Sequence, residues 1–259
     1  MTESPIETTR RTLKLRDAEL YVETSGTGEP LVLLHGFTGC GADWKHVFDL
    51  DALARRYRLI VPDARGHGRS TNPGGTFTHR ACAEDLIALC DALELPRVRA
   101  IGMSLGGNTL LHVATTARER ERIEAMVLVS STMYYPAQAR AIMRHAGPEN
   151  QPPAEWAAMR ARHAYGDDQI RALWRHAAGF ADSYDDMNLT PPHLATITAR
   201  TMIVYGDRDP LYPIEMAIEM YRAIPHAALR VVPGGGHGPI FGERERSELG
   251  STALPFLGP

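Results

Sequence analysis

The pentapeptide Gly102-Met103-Ser104-Leu105-Gly106 sets one hydroxyl between two glycines. It falls where a short apolar run, Arg99 to Met103, gives way to helical spacing from Leu105 to Ala117. A G-x-S-x-G pattern between a strand and a helix describes a sharp turn that exposes the serine oxygen, and the glycines remove side chains that would collide there. A hydroxyl is a poor nucleophile near neutral pH, so chemistry at Ser104 needs an imidazole to take its proton and a carboxylate to orient that imidazole. Two later loops carry these groups. Tyr205-Gly206-Asp207-Arg208-Asp209-Pro210 follows an apolar run ending near Val204 and holds two carboxylates. Gly234-Gly235-Gly236-His237-Gly238-Pro239 follows the last such run and holds an imidazole. The order of serine, carboxylate and histidine along the chain suits a nucleophile on a strand-to-helix elbow. The spacing by itself does not choose between Asp207 and Asp209.

Acyl transfer also requires donors aimed at the oxygen that becomes negative. The Leu105 N–H lies in the first turn of the helix after Ser104, where the helix dipole favours negative charge. His35-Gly36-Phe37 closes an earlier apolar run, Leu31 to Leu34, so the Phe37 N–H is the second expected donor, with Gly36 letting the backbone approach a substrate closely.

These residues need a scaffold that brings strand ends to one place. Thr12 to Thr24 alternates apolar and polar residues around Asp17, as in a half-buried hairpin. Leu31 to Leu34, Tyr57 to Val61, Arg99 to Met103 and Met126 to Val129 read as buried strands, separated by helical spacing over Trp44 to Arg55, Phe77 to Leu95 and Leu105 to Ala117. The exchange of strands and helices predicts a doubly wound, mostly parallel α/β sheet. From Thr132 to Ala199 the alternation stops, and helical pieces punctuated by prolines and Gly166 predict a helical insertion carrying Tyr134, Trp156 and Trp174. Strands resume at Met202 to Tyr205 and Leu229 to Val232.

With 28 Lys+Arg against 31 Asp+Glu, the net charge of -3 offers no electrostatic case for nucleic acid. No apolar stretch approaches the roughly 20 residues needed to span a bilayer, and the polar opening from Met1 to Tyr21 makes the cytoplasm the expected location. Cys40, Cys82 and Cys90 form no C-x-x-C pair and read as packing residues. A zinc H-E-x-x-H signature, a P-loop and a G-x-G-x-x-G turn are all absent, so no metal or organic cofactor is expected.

Taken together, His35-Gly36-Phe37, the run from Asp63 to Ser70 (DARGHGRS), Gly102 to Gly107, Gly206 to Asp209 with Pro213, and His237 resemble the α/β-hydrolase superfamily. The likeness is to its small esterases, lactonases, C-C bond hydrolases and cofactor-free haloperoxidases. It implies an eight-stranded, mostly parallel sheet flanked by helices, with core residues 1–131 and 200–259 and a helical cap at 132–199 that forms much of the pocket. It implies Asp209 as the acid of a Ser104, His237 and Asp209 triad, Phe37 and Leu105 N–H groups as the oxyanion hole, and a bracing role for Asp63 to Ser70. Met103, Tyr134, Trp156 and Trp174 are the expected pocket residues.

Epoxide hydrolases and haloalkane dehalogenases place Asp where this chain has Ser104. C-C hydrolases carry an aromatic residue after the histidine and an Asn in the oxyanion loop, whereas here Gly238 follows His237 and no Asn occurs between His35 and Val47. The expected activity is therefore hydrolysis of a small carboxylic ester by water through an acyl-enzyme. Lactone hydrolysis, C-C cleavage, and acyl transfer to an alcohol or peroxide are the enzymatic alternatives, and a triad-bearing ligand receptor is the non-enzymatic one. Whether the chain works as a monomer or a homodimer is open at this level.

Overall fold

The structure, a computed structural model, describes residues 6–258. Met1 to Pro5 of the polar opening stretch lie outside the described residues. Eight strands form one sheet: β1 (Thr8–Leu15), β2 (Ala18–Ser25), β3 (Glu29–Leu34), β4 (Tyr57–Pro62), β5 (Val98–Met103), β6 (Ile123–Val129), β7 (Arg200–Gly206) and β8 (Ala227–Val232). Their order is β1-β2-β4-β3-β5-β6-β7-β8. β1 and β2 form an antiparallel hairpin, β2 also runs antiparallel to β4, and every later pairing is parallel. Ala125 to Val129 of β6 has no exposed surface, which explains the unbroken apolar run: a parallel strand covered on both faces has no side to give to water. β1 lies at the edge and carries exposed Arg10, Arg11 and Lys14, charges that discourage pairing with another chain.

Helices cover both faces. α2 (His79–Ala92), α3 (Leu105–Thr115) and α8 (Ile214–Ala223) pack Leu86, Leu89, Leu110, Met216 and Met220 into one apolar layer. α1 (Leu50–Ala54) and α9 (Glu243–Leu257) supply Leu53, Leu249 and Ala253 to the other layer. The helix expected over Trp44 to Arg55 is broken into a 3-10 turn, Gly41–His46, and the short α1. The cause is Asp49, whose side chain accepts the Ala52 N–H at 3.0 Å and so starts a new helix in mid-segment. In the same way Thr78 accepts the Ala81 N–H at 3.0 Å and starts α2 later than the apolar spacing from Phe77 indicated. Between β6 and β7 lie α4 (Ala137–Met143), α5 (Pro153–Arg162), α6 (Gly166–Gly179) and α7 (Pro191–Leu194), with no strand among them beyond an isolated bridge between Tyr134 and Asn188.

The loop from Asp63 to Ser70 links the hairpin, α2 and the 3-10 turn. Buried Arg65 donates to both oxygens of Asp85 on α2 at 2.6 and 2.7 Å, and to Asp17 of the hairpin turn at 2.9 Å. Asp63 accepts the N–H groups of Gly41 and Arg69, each at 2.8 Å, while the Ser70 hydroxyl donates to the Asp63 carbonyl at 2.7 Å.

Because the pairings from β3 to β8 are parallel, the loops after β3, β5, β7 and β8 leave one rim of the sheet. β5 meets α3 at that rim with no room for side chains: a Cβ on Gly102 would stand 2.5 Å from the Gly106 carbonyl carbon, and one on Gly106 would overlap the Leu34 carbonyl oxygen. Both obstacles are backbone and cannot rotate away. Gly106→Ala is therefore expected to destabilise the fold by more than about 2 kcal/mol, read as a lowered urea midpoint; an unchanged midpoint would contradict this account of the β5-α3 junction.

Candidate active site

Ser104 sits between β5 and α3 with φ 49° and ψ -110°. This region is costly for a residue with a Cβ, by about 1–3 kcal/mol. It is held there at both ends: the Ser104 N–H donates to the Val129 carbonyl and the Asn108 N–H to the Ser104 carbonyl, each at 2.8 Å. The side chain is thereby turned out of the strand toward the rim. Only 8% of Ser104 is exposed.

Asp209 and His237 reach the same point from the loops after β7 and β8. His237 Nδ1 lies 2.8 Å from Asp209 Oδ2, and His237 Nε2 lies 2.9 Å from Ser104 Oγ. A carboxylate only accepts, so Nδ1 carries the proton and Nε2 is left as the acceptor for the serine O–H. The other oxygen of Asp209 takes the Leu211 N–H at 2.8 Å and the Tyr212 N–H at 3.2 Å, which fixes the carboxylate in place. Asp207 points elsewhere: its carboxylate accepts the Gly234 N–H at 2.6 Å and ties the β7 loop to the β8 loop.

The Phe37 and Leu105 backbones flank Ser104 at the same cavity. Neither N–H donates to another group among the described residues. A methyl on Gly36 would stand 3.7 Å from both Ser104 Cβ and Met103 Sδ, so the Gly36 backbone lies directly against the elbow. The loop is braced from behind. His35 Nε2 accepts the Ala64 N–H at 2.9 Å, which leaves Nδ1–H to donate to the Gly36 carbonyl at 2.8 Å. Thr38 holds a φ of 65°. Its carbonyl accepts from Nε2 of His163 at 3.1 Å, while His163 Nδ1 accepts the Gly68 N–H at 2.9 Å. One imidazole from the helical segment thus joins the loop after β3 to the loop after β4.

A cavity of about 280 Å³ opens over Ser104 and His237. Its walls include Met103, Ile142, Met143, Phe180, Leu211 and Tyr212. Of the expected pocket residues, Met103 is there. Trp156 and Trp174 are not: they pack with Met159, Ile170 and Leu173 in a separate apolar cluster where α5 meets α6, which Phe37 also touches. Tyr134 also lies off the cavity, 36% exposed, at the bridge to Asn188. Residues that sequence reasoning passed over line the cavity instead. Tyr212 meets the His237 ring edge to face at 5.2 Å, and Asn108 accepts the Thr132 N–H at 2.9 Å. Position was the available signal, since Tyr212 stands three residues after Asp209 and Asn108 one helical turn after Ser104. His79, Tyr135 and Asp186 gave no such signal, as they come from three distant segments.

Burial governs the titrating groups around this rim. It pushes the Tyr212 phenol above the ordinary tyrosine range, and with the nearby carboxylates of Asp43 and Asp63 it pushes the Cys40 thiol up to about 11. Cys40 is thus a protonated packing thiol. Burial also pulls His163 and His112 down to about 4, and His67 well below the usual imidazole range. Among the described residues no group of three or more His, Cys, Asp or Glu side chains could hold a metal ion, and no helix is long and apolar enough to cross a membrane.

A mostly parallel eight-stranded sheet with helices on both faces, carrying a serine on the elbow after β5, defines an α/β hydrolase. A model of the alpha/beta hydrolase family matches residues 31–248, and the chain belongs to that family. It is 28% identical over 253 residues to a putative non-heme chloroperoxidase of Synechocystis sp., covering 85% of this chain and 88% of that protein. Among solved structures it is similar to a hydrolase from Pseudomonas aeruginosa, at 25% identity and a TM-score of 0.75 over 96% of this chain and 98% of that one. A thermophilic esterase from Thermogutta terrifontis has the same fold, at 24% identity and a TM-score of 0.76 over 97% of this chain and all 100% of the esterase.

The buried histidines set the acid response of the fold. In the unfolded chain imidazoles take up protons near pH 6.5, whereas His163 and His112 in the folded protein resist protonation down to about 4. Between those values the unfolded state binds more protons, so stability should fall as pH drops, by up to about 1.4 kcal/mol per pH unit per histidine. Urea midpoints measured across this window are expected to decline steeply, and less steeply in His112→Gln. A flat profile would contradict it.

Proposed function

We propose that this protein is a serine hydrolase that cleaves small carboxylic esters through an acyl-enzyme. The carrying observation is the row from Ser104 Oγ through His237 to Asp209, with separations of 2.9 and 2.8 Å, at the floor of a cavity with mostly apolar walls. In this reading Ser104 Oγ attacks the ester carbonyl carbon while His237 Nε2 takes the hydroxyl proton. The oxygen that becomes negative is received by the Phe37 and Leu105 N–H groups. The C–O bond to the alcohol then breaks, and the alcohol leaves with the proton from His237. Water loses a proton to the same nitrogen, attacks the acyl carbon and releases the acid, restoring Ser104. Asp209 stays ionised throughout and steadies the imidazolium. Residues 132–199 serve as a cap over the core formed by 1–131 and 200–259, shielding the acyl group with Met143 and Phe180.

The likeness to a non-heme chloroperoxidase favours a second reading, in which hydrogen peroxide replaces water at the acyl-enzyme and a peracid is formed. Both readings share every residue role up to the acyl-enzyme, and peracid release from an ester in the presence of peroxide separates them.

Ser104→Ala is expected to lower kcat on a short p-nitrophenyl ester by at least about a thousandfold, and a fluorophosphonate probe is expected to label Ser104, read by mass spectrometry of the tryptic peptide. A single burst without steady turnover in the intact protein would instead mark a ligand receptor. Asp209→Asn should lose a similar factor, because the amide no longer holds the imidazole in the right tautomer. Asp207→Asn should stay within about threefold of the parent, since its carboxylate serves only a loop amide.

A further inference from the structure

The cavity over Ser104 contains a second polar row that ester hydrolysis does not use. His79 and Tyr135 both line it, 2% and 4% exposed, among Ile142, Met143, Ala177 and Phe180. His79 Nδ1 lies 2.8 Å from Asp186 Oδ2, and His79 Nε2 lies 3.0 Å from the Tyr135 hydroxyl. Asp186 also accepts the N–H groups of His79 at 2.6 Å and Arg80 at 3.1 Å. Burial alone would raise the Asp186 carboxyl, but these hydrogen bonds from His79 and Arg80 hold it down at about 2, so it is an anion and a pure acceptor.

That assignment propagates along the row. Nδ1 must carry a proton, and with His79 as the neutral imidazole Nε2 accepts and Tyr135 donates its O–H to it. Burial raises Tyr135 well above the ordinary tyrosine range, so the phenol keeps that proton. Every proton in the row therefore points toward Asp186, and aligned donors of this kind polarise one another. The free end is the Tyr135 oxygen, whose remaining lone pairs can only accept. Two backbone N–H bonds already anchor Asp186 on the start of α2. The imidazole and phenol go beyond that anchoring and put an acceptor into a wall that is otherwise apolar.

The surrounding charges choose the kind of donor. The buried Arg140 guanidinium lies 5.8 Å from the Tyr135 ring centre and donates to the Tyr135 carbonyl at 3.0 Å, a positive charge that disfavours a second cation beside the phenol. The neighbouring His112 ring, 6.5 Å from that of His79, is kept neutral by burial. A neutral donor suits these surroundings better than a cation. The His237 and Tyr135 rings both adjoin Tyr212, at ring separations of 5.2 and 6.5 Å, so Tyr135 and a carbonyl held at Ser104 share one cavity.

We propose that the Tyr135 hydroxyl oxygen accepts a hydrogen bond from an alcohol group on the acyl chain of the substrate, making hydroxyacyl esters the preferred substrate class. The proposal rests on the reading of Ser104 as the nucleophile. It is tested by comparing p-nitrophenyl ω-hydroxyalkanoates of graded length with the unsubstituted alkanoates of equal length, in the parent protein and in Tyr135→Phe. Calorimetric binding of the corresponding free acids provides a readout that needs no turnover. At one length the hydroxylated compound should be favoured by about tenfold in kcat/KM and in affinity, and this ratio should fall toward one in Tyr135→Phe. A ratio of one or below at every length in the parent overturns the proposal, and that result stands even if Tyr135→Phe fails to fold. So does a ratio that survives in a Tyr135→Phe protein with an unaltered melting curve. Ester turnover that persists in Ser104→Ala would instead overturn the nucleophile assignment, leaving the binding ratio to decide the subsite separately.

Discussion

The conformation of Ser104 is the constraint to which the rest of the site answers. With φ at 49° the residue leaves β5 in a direction that a strand residue does not otherwise take, and its oxygen is carried out over the rim. The turn is accommodated because positions 102 and 106 are glycine, where any Cβ would run into the facing backbone. Stability lost in one residue is offset by the two apolar layers that clamp the sheet, whose strands β3, β5 and β6 are almost wholly buried. A serine in a relaxed strand would point into one of those layers.

Around that turn the protein uses polar groups to hold loops that lack regular structure. Asp63 and Arg65 collect N–H groups and carboxylates from the hairpin, the 3-10 turn and α2. Buried ion pairs of this kind add little net stability, because desolvation consumes most of the attraction; their value lies in allowing one arrangement only. His35 and His163 do similar work as neutral imidazoles, each accepting with one nitrogen and donating with the other. Since burial keeps His163 neutral until about pH 4, the bridge between the helical segment and the loop after β3 holds down to that pH.

The helical segment between β6 and β7 shows how far local pattern reaches. Its helices were legible from apolar spacing and prolines, and its attachment was not. The two tryptophans that composition marks as pocket residues turn inward to Met159, Ile170 and Leu173, while the cavity receives Met143, Ala177 and Phe180. Residue type signals that a side chain will be buried; it does not signal against which neighbour. The same limit applies to Asp186, 107 residues from the His79 it contacts.

What the sequence determined by itself was the order of strands and helices, the parallel sheet, the serine elbow and the two loops that offer a carboxylate and an imidazole. Each is written within a few residues, as a run of buried aliphatics or as glycines where no side chain fits. Tertiary structure decided which of Asp207 and Asp209 faces His237, which aromatic residues reach the cavity, and that His79 and Tyr135 line it in a row that ends at Asp186. Those outcomes depend on distances between segments far apart along the chain, set by how the loops and helices pack once the sheet has formed, and no local spacing encodes them.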